Sequence, residues 1–397
     1  MEPKIRFKGF EGEWKETNLG NISNNFKYGI NAAAIPFDGE NKYLRITDID
    51  DTTHIFLQEN LTSPGADLSN CDEYIMQDGD IVIARTGASV GKSYLYHIVD
   101  GKVYFAGFLI RVRTNKDVNK DFVFQKTLTN AYTKHIQFVS QRSGQPGVNV
   151  NELKSFGFHI PRDKEEQKAI GKYFTSLDYQ ISASTSRLAS LKQMKAASLQ
   201  AMFPQEGETV PKVRFKGFEG EWKKVKFSDL AERISTTEQS GILPGVEYED
   251  IISGEGRLNK DVYQKECYKY GIVFNTGDIL FGKLRPYLKN ILLADFHGVA
   301  VGDFWVLRSN ESNSNFLYTL VNSNSFMEVA NISSGSKMPR ADWNLVSATF
   351  FAVPSDEEEQ KLIGNYFTSL DRQITLQTQR LEKLKQIKSA CLDKMFV

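Results

Sequence analysis

The sequence has little of what marks a secreted, membrane-embedded or metal-holding chain. Only three of its 397 residues are cysteine. Cys71, Cys267 and Cys391 are scattered, with no CxxC pair and no neighbouring histidine cluster, which excludes a disulfide framework and a cysteine metal site. They read as small buried thiols of a reduced, cytoplasmic chain. The five histidines, His54, His97, His135, His159 and His297, show no ligand spacing, and neither HExxH nor GxSxG occurs. Long apolar runs are missing too. The stretches 105–110 and 291–294 fall far short of the roughly 18 residues of a membrane span, and the N-terminal residues contain no apolar signal core, so neither membrane insertion nor secretion is expected. Net charge is also absent, because Lys plus Arg and Asp plus Glu both total 49. A chain that grips nucleic acid alone is usually basic. If DNA is the ligand here, the cations must be locally concentrated, and other subunits must supply part of the phosphate neutralisation.

Catalytic patterns fail in the same way. Gly87-Ala88-Ser89-Val90-Gly91-Lys92-Ser93 imitates a phosphate loop, but the Walker A pattern needs four residues between its glycines and this has three. At the equivalent place the second half of the chain reads Gly282-Lys283-Leu284-Arg285-Pro286, so the segment is read as a flexible basic tip. Asp163, Glu165 and Lys168 imitate a nuclease set, yet a helix start favours acids by its dipole and cap. No Asn/Asp-Pro-Pro-aromatic tetrapeptide of the amino-methyltransferases is present. The chain is therefore not expected to be an enzyme.

What is there is a repeat. PKIRFKGFEGEWKE (3–16) returns 208 residues later as PKVRFKGFEGEWKK, with 12 of 14 residues identical, and DKEEQKAIGKYFTSLDYQI (163–181) returns 193 residues later as DEEEQKLIGNYFTSLDRQI, with 15 of 19 identical. Between these landmarks the halves diverge, sharing Gly79-Asp80-Ile81 with Gly277-Asp278-Ile279, Ser143-Gly144 with Ser334-Gly335, and Pro161 with Pro354. A constant frame with variable contents is what duplication leaves when the frame has one shared job and each middle recognises something different.

Ile170, Phe174, Leu177, Ile181, Leu188 and Leu191 follow steps of three and four residues, with Ser184 filling a gap, and Ile363, Phe367, Leu370, Ile374, Leu381 and Leu384 repeat them. These are heptad stripes. Asp163 with Glu166, and Asp356 with Glu359, have capping-box spacing after a proline and start each helix; Pro204 stops the first. At 1.5 Å per residue, some 40 residues make a helix of roughly 60 Å. The stripes are expected to pack on each other as an antiparallel coiled coil with pseudo-two-fold symmetry, the alternative being that each helix docks on its own domain. The fold class is α+β, with two mixed α/β domains in tandem repeat: globular residues 1–161, helix 162–204, linker and second globular domain 205–354, and helix 355–397. Strands are expected at 43–49, 80–84, 93–99 and 108–113, with a helix over 120–138; the second half answers with strands at 278–281 and 304–307 and a helix over 315–330.

Two loops per half combine glycine, cations and amide or hydroxyl side chains. In the first half they hold Arg85, Thr86, Ser89 and Lys92, then Gln141, Arg142, Ser143, Gln145 and Asn149. In the second they hold Lys283, Arg285, Tyr287, Lys289 and Asn290, then Ser336, Lys337, Arg340 and Asn344. Arginine and lysine reach guanine O6 and N7 or phosphate, amides pair with adenine N6 and N7, and glycine admits close backbone approach. These residues are the candidate DNA contacts.

EEQKAIGKYFTSLDYQI and EEEQKLIGNYFTSLDRQI, each followed by Leu-Lys-Gln, resemble the helical regions of specificity subunits of bacterial type I restriction-modification systems. The likeness extends to the order variable domain, helix, variable domain, helix over the whole chain. It implies a non-catalytic subunit with two target-recognition domains, each reading half of a bipartite site in double-stranded DNA, with the helices as the ruler. It also implies partners: two adenine-N6 methyltransferase subunits, which use S-adenosylmethionine and flip the adenine themselves, and two restriction subunits, which use ATP and Mg2+. The chain itself would carry no cofactor and no metal. The rival reading is a coiled-coil scaffold whose diverged halves bind two proteins; salt-sensitive, sequence-dependent DNA binding separates the two.

Overall fold

The repeated stretches of the sequence, far apart along the chain, meet at a buried ion pair. Glu166, near the start of the first long helix, is buried, and its carboxylate takes both Nε and Nη2 of Arg6 at 2.7 and 2.8 Å while also accepting Trp14 Nε1 at 3.2 Å. The second copy repeats this with Glu359 and Arg214, at 2.5 and 2.7 Å. The Trp222 Nε1 has no hydrogen-bond partner among the described residues. This corrects the capping-box reading. Asp163 and Asp356 do cap, each accepting an N–H two residues on at 2.8 Å, from Glu165 and Glu358, but Glu166 and Glu359 turn away from the helix end to hold the N-terminal arm of their own half. The neighbouring glutamines tie the helix to the strand before it, as Gln167 and Gln360 donate to the carbonyls of Pro161 and Pro354 at 2.9 and 3.0 Å.

The structure is a computed structural model. It describes residues 1–241, 243–265, 267–310, 313–332 and 338–397. Its contacts divide the chain into two units, residues 1–185 with 380–397, and residues 186–379. Each unit thus holds one globular half, the first part of the helix that follows it, and the last part of the other helix. Both helices have 39 residues, Lys164–Met202 and Glu357–Met395. In the first unit Ile170, Phe174 and Leu177 pack with Trp14, Phe122 and Phe158, and with Met395 and Phe396 from the end of the second helix. In the second unit Ile363, Phe367, Leu370 and Ile374 pack with Trp222, Phe316 and Phe351, and with Leu191, Leu199, Met202 and Phe203. The heptad positions therefore serve a domain core and a helix partner at once. Ile181 and Leu381 are buried, and Leu188 and Leu384 partly so.

Within each unit the helix segments run antiparallel. Tyr173 OH lies 3.4 Å from Cys391 Sγ and Asp178 pairs with Lys388 at 2.6 Å, so one residue number rises as the other falls. In the second unit Ser198 Oγ lies 3.0 Å from Tyr366 OH and Lys195 pairs with Asp371 at 2.5 Å. Asp178 and Asp371 are the aspartates of the two Ser-Leu-Asp segments. Each bonds a lysine near the end of the other helix and a side chain of its own globular half, Gln125 at 2.7 Å and Tyr318 at 3.2 Å. Gly171 and Gly364 explain a glycine in mid-helix: a Cβ there would come within 2.6 Å of Asn119 Oδ1 or of the Phe316 backbone nitrogen. A helix N-terminus of the globular half is seated on each.

Each globular half is built on the same four-stranded antiparallel sheet, in the order Ser23–Tyr28, Leu109–Thr114, Ile81–Ala84 and Ser93–Leu95 in the first half. In the second the order is Ala231–Ile234, Phe304–Ser309, Ile279–Gly282 and Ile291–Leu293. The central strand is buried on both faces. Ile81 and Ile83 face the core that contains the long helix, Val82 and Ala84 a second core, as a period of two requires. A strand framing each half pairs with the one before the long helix, Lys15–Asn18 with Gly157–Ile160 and Lys223–Lys226 with Phe350–Val353.

The single helices expected over 120–138 and 315–330 are each two, Lys120–Lys126 with Asn130–Val139, and Ser314–Asn322 with Asn324–Ala330. Thr129 and Ser323 break them by capping the second piece, where they accept the N–H of Tyr132 and Phe326. The strands expected at 43–49 and 93–99 stop at Leu44 and Leu95, each followed by a short 3-10 turn. No helix of the described residues is long and apolar enough to cross a membrane.

The Asp178–Lys388 bridge is tested by charge exchange. Asp178→Lys and Lys388→Asp each lower the denaturation midpoint, and the double exchange restores most of the loss, a coupling of about 1 to 3 kcal/mol. Equal additive losses in the double variant would show that the pair does not hold the helices.

Candidate nucleic-acid interface

The Gly-Asp-Ile landmark shared by the halves is what positions the loops. Asp80 is buried, its carboxylate takes Arg113 Nε and Nη2 at 2.7 and 2.8 Å, and it accepts the Gln77 N–H at 2.8 Å. Asp278 does the same with Arg308, at 2.8 and 2.6 Å, and the Asn275 N–H at 2.8 Å. Burial pushes the neighbouring Arg111 below the usual guanidinium range, while the bonds to Asp80 and Asp278 hold Arg113 and Arg308 above it. A buried carboxylate survives only when paired. Here the pairing ties the start of one strand to the end of its antiparallel neighbour, so the opposite end of Ile81–Ala84 and of Ile279–Gly282 is delivered in a fixed place.

From that end springs the first candidate loop, and in both halves the second loop is clipped to it. In the first half Gly87 N–H donates to Pro146 O at 2.9 Å and Val148 N–H to Arg85 O at 2.8 Å, bridging Thr86 to Gly147. In the second, Arg285 N–H donates to Pro339 O at 2.8 Å and Ala341 N–H to Lys283 O at 2.9 Å, bridging Leu284 to Arg340. The loops separated by some fifty residues of sequence thus become one tip. The tip is pinned, not flexible, which corrects the expectation for the first half. The equivalence also shifts: Ala84 and Gly282 match, each bonded to the strand opposite through Lys92 O or Asn290 O at 2.8 Å, so Gly87 corresponds to Arg285 and Gly91 to Lys289.

The tip sorts the candidate side chains into those with internal work and those without. Lys92 is spent on Ile49 O at 2.8 Å and Asp51 at 2.7 Å. Arg142 closes its own helix end through Val139 O and Gln141 O, both at 2.8 Å, and pairs with Glu152 at 2.6 Å. Asn149 is an N-cap that accepts from Glu152 N–H at 3.0 Å. Asn290 is buried and accepts from Ser253 Oγ at 2.7 Å. Thr86 takes part through its backbone bridge. Arg85 is half-buried, its guanidinium 4.7 Å from the centre of the Tyr28 ring, with Nε buried and without a hydrogen-bond partner among the described residues. Gln141, Ser143 and Gln145 are exposed, as are Arg285, Tyr287 and Asn344, while Ser89 is half-exposed. Lys283 and Arg340 share Asp303, at 3.6 and 2.9 Å; such surface pairs are weak and release readily. Ser336 and Lys337, with the Ser334-Gly335 landmark, lie outside the described residues.

Lys289 faces a cavity of about 600 Å³ shared with Lys192, Lys195, Glu255 and Asp371. Burial and the charge of Lys195 hold its ammonium below the usual lysine range. Tyr28, Phe108 and Asp303 belong to the tip and were missed in the sequence. Phe108 is exposed, its carbonyl accepts Arg85 N–H at 3.0 Å, and Asp303 takes that place for Lys283 at 2.9 Å. An aromatic ending a strand beside a cationic loop is the signal that points to Tyr28; nothing local marks the other two. Among the described residues no group of three or more His, Cys, Asp or Glu is placed to hold a metal ion.

Asp80→Ala leaves Arg111 buried without its counter-charge and is expected to cost about 3 to 5 kcal/mol in chemical denaturation. A loss below about 1 kcal/mol would mean that the aspartate does not anchor the tip.

Comparison with known proteins agrees with this architecture. The family model described as "Type I restriction modification DNA specificity domain" matches twice, over residues 11–193 and 219–386. A type I restriction enzyme HindI specificity subunit of Haemophilus influenzae is 26% identical over 195 residues, 48% of this chain and 41% of that protein. An EcoDI specificity subunit of Escherichia coli is 20% identical over 278 residues, 61% of this chain and 62% of that protein. The matches therefore span less than two thirds of either relative. In fold, the chain is similar over its whole length to the crystal structure of a type I restriction-modification S subunit from M. genitalium, which is covered to 99%, with a TM-score of 0.70 and 14% identity. With both copies of the domain matched and the tandem architecture in place, the chain belongs to the type I restriction-modification DNA specificity family.

Proposed function

We propose that the chain is the specificity subunit of a type I restriction-modification enzyme and itself performs no chemistry. Each globular half reads one half of a bipartite site in double-stranded DNA. The long helices set the separation between half-sites and offer the docking surface for methyltransferase and restriction subunits. S-adenosylmethionine, ATP and Mg2+ belong to those partners.

The observation that carries this reading is the tip. The same pair of backbone hydrogen bonds and the same Asp–Arg anchor hold it in both halves, while the side chains presented differ almost completely. A fixed mount with exchangeable contents is what a pair of readers for different sequences needs. Base edges are distinguished by side-chain donors and acceptors, and phosphates are gripped without regard to sequence. The exposed Arg, Gln, Ser and Tyr side chains of the two tips suit base edges and backbone. Zero net charge fits a reader that shares phosphate neutralisation with partners.

The test is to map N6-methylated adenines by single-molecule sequencing in cells carrying the cognate methyltransferase, with and without this chain. Methylation at one bipartite motif that disappears without the chain is the expected result. Identical methylation in both strains would overturn the reading and favour a protein-binding scaffold.

A further inference from the structure

Two positions of the tip have left-handed backbone in both halves. In the first half glycine occupies both, Gly87 with φ +79° and Gly91 with φ +87°; in the second they are Arg285 with φ +50° and Lys289 with φ +51°. An L side chain in this region costs free energy that glycine does not incur. The first copy shows that the same turn can be built without that cost.

The strain is imposed by surroundings that over-determine the turn. Arg285 N–H is held by Pro339 O, its carbonyl accepts Leu288 N–H at 2.9 Å, and Lys289 N–H donates to Pro286 O at 2.8 Å while its carbonyl accepts Gly254 N–H at 3.1 Å and Ile291 N–H at 2.9 Å. Tyr248 OH adds a bond to Leu284 O. The backbone therefore keeps its shape whatever side chain stands at 285. The two side chains then part ways. Lys289 packs along the cavity wall beside Lys195, so part of its length is used by the fold. The Arg285 guanidinium is exposed, and no hydrogen bond or ion pair joins it to any described residue. Strain kept at a position where the side chain is exposed, and has no hydrogen bond or ion pair to a described residue, marks a side chain used on something else.

We propose that Arg285 is a specificity-determining residue of the second half, its guanidinium presented by a left-handed turn to a base edge of the second half-site. The proposal rests on the DNA-reading function and adds to it an asymmetry. At the same point the first half has Gly87, which is buried beneath the Gln145 amide, whose Nε2 would stand 3.0 Å from a Cβ there. There the neighbouring Arg85, stacked on Tyr28, is the only arginine of the first loop. A guanidinium pairs with guanine O6 and N7 through two parallel N–H donors in a rigid planar fork, whereas a lysine ammonium reaches the same atoms as a flexible point charge and discriminates less sharply.

The test uses the full chain with its methyltransferase and reads three things: thermal midpoint, extent of methylation, and the methylated motif. Arg285→Gly is expected to leave the midpoint unchanged or raise it, while discrimination at one base pair of the second half-site falls by roughly 10-fold to 100-fold and the first half-site is read as before. Arg285→Lys, which keeps the charge, is expected to relax the same base pair. Either of two results in the methylated motif would overturn the proposal: Arg285→Gly methylating the unaltered motif, or Arg285→Lys keeping full discrimination, which would assign the residue to a phosphate. A fall in midpoint for Arg285→Gly would also overturn it, because the arginine would then be holding the turn. If the wild-type chain directs methylation to no motif, the DNA-reading function itself fails, a result separate from all of these.

Discussion

Everything in this protein is hung from a carboxylate that cannot be left alone. Glu166 and Glu359 are removed from water, and an unpaired carboxylate there would cost several kcal/mol, so each must capture its arginine. That capture fixes the N-terminal arm of each half to the start of its long helix. The next residue, Gln167, reaches Pro161 on one side and the Asn119 N–H on the other, at 3.0 Å, and Gly171 gives the helix that begins there room to approach. That helix covers the sheet, the sheet carries Asp80, and Asp80 aims the strand whose far end is the tip. A line of specific contacts thus runs from the repeated sequence to the side chains that differ between halves.

The same economy explains why the repeat is so uneven. Residues in that line tolerate little change, because each removes a buried charge, a close approach or a cap. At the tip the structural demand falls on backbone hydrogen bonds and two left-handed positions, which many sequences satisfy, glycine most easily. The side chains of the tip can therefore differ between the halves without disturbing the backbone hydrogen bonds that hold it. The reciprocal bridges Asp178–Lys388 and Lys195–Asp371 carry this further: each unit is completed by the end of a helix whose beginning belongs to the other.

Much of this was legible in the sequence, and the rest was hidden for definite reasons. The repeat, the two helices of some 40 residues, their apolar stripes and the presence of two cationic loops per half follow from spacing and residue type, whereas the joining of those loops into one tip does not. The role of Glu166 does not, because its partner lies 160 residues away and a local rule, the capping box, offers itself first. Lys92, Arg142 and Asn149 look like contact residues by type, but only the partners Asp51, Glu152 and the Glu152 N–H show that the fold already uses them. The match of Gly87 with Arg285 is not visible in the sequence because divergent loops cannot be aligned by identity, whereas their hydrogen bonds can. The interrupted helices look continuous in the sequence since Thr129 and Ser323 reveal themselves as caps only once the chain turns there.

The most direct test of the central claim, that a constant mount carries interchangeable readers, is to replace residues 26–142 by the corresponding segment of another member of the family and determine the methylated motif of the reconstituted enzyme. A mount indifferent to its contents predicts that one half-site changes while the other half-site and the spacing stay as they were. Change in both half-sites would contradict it.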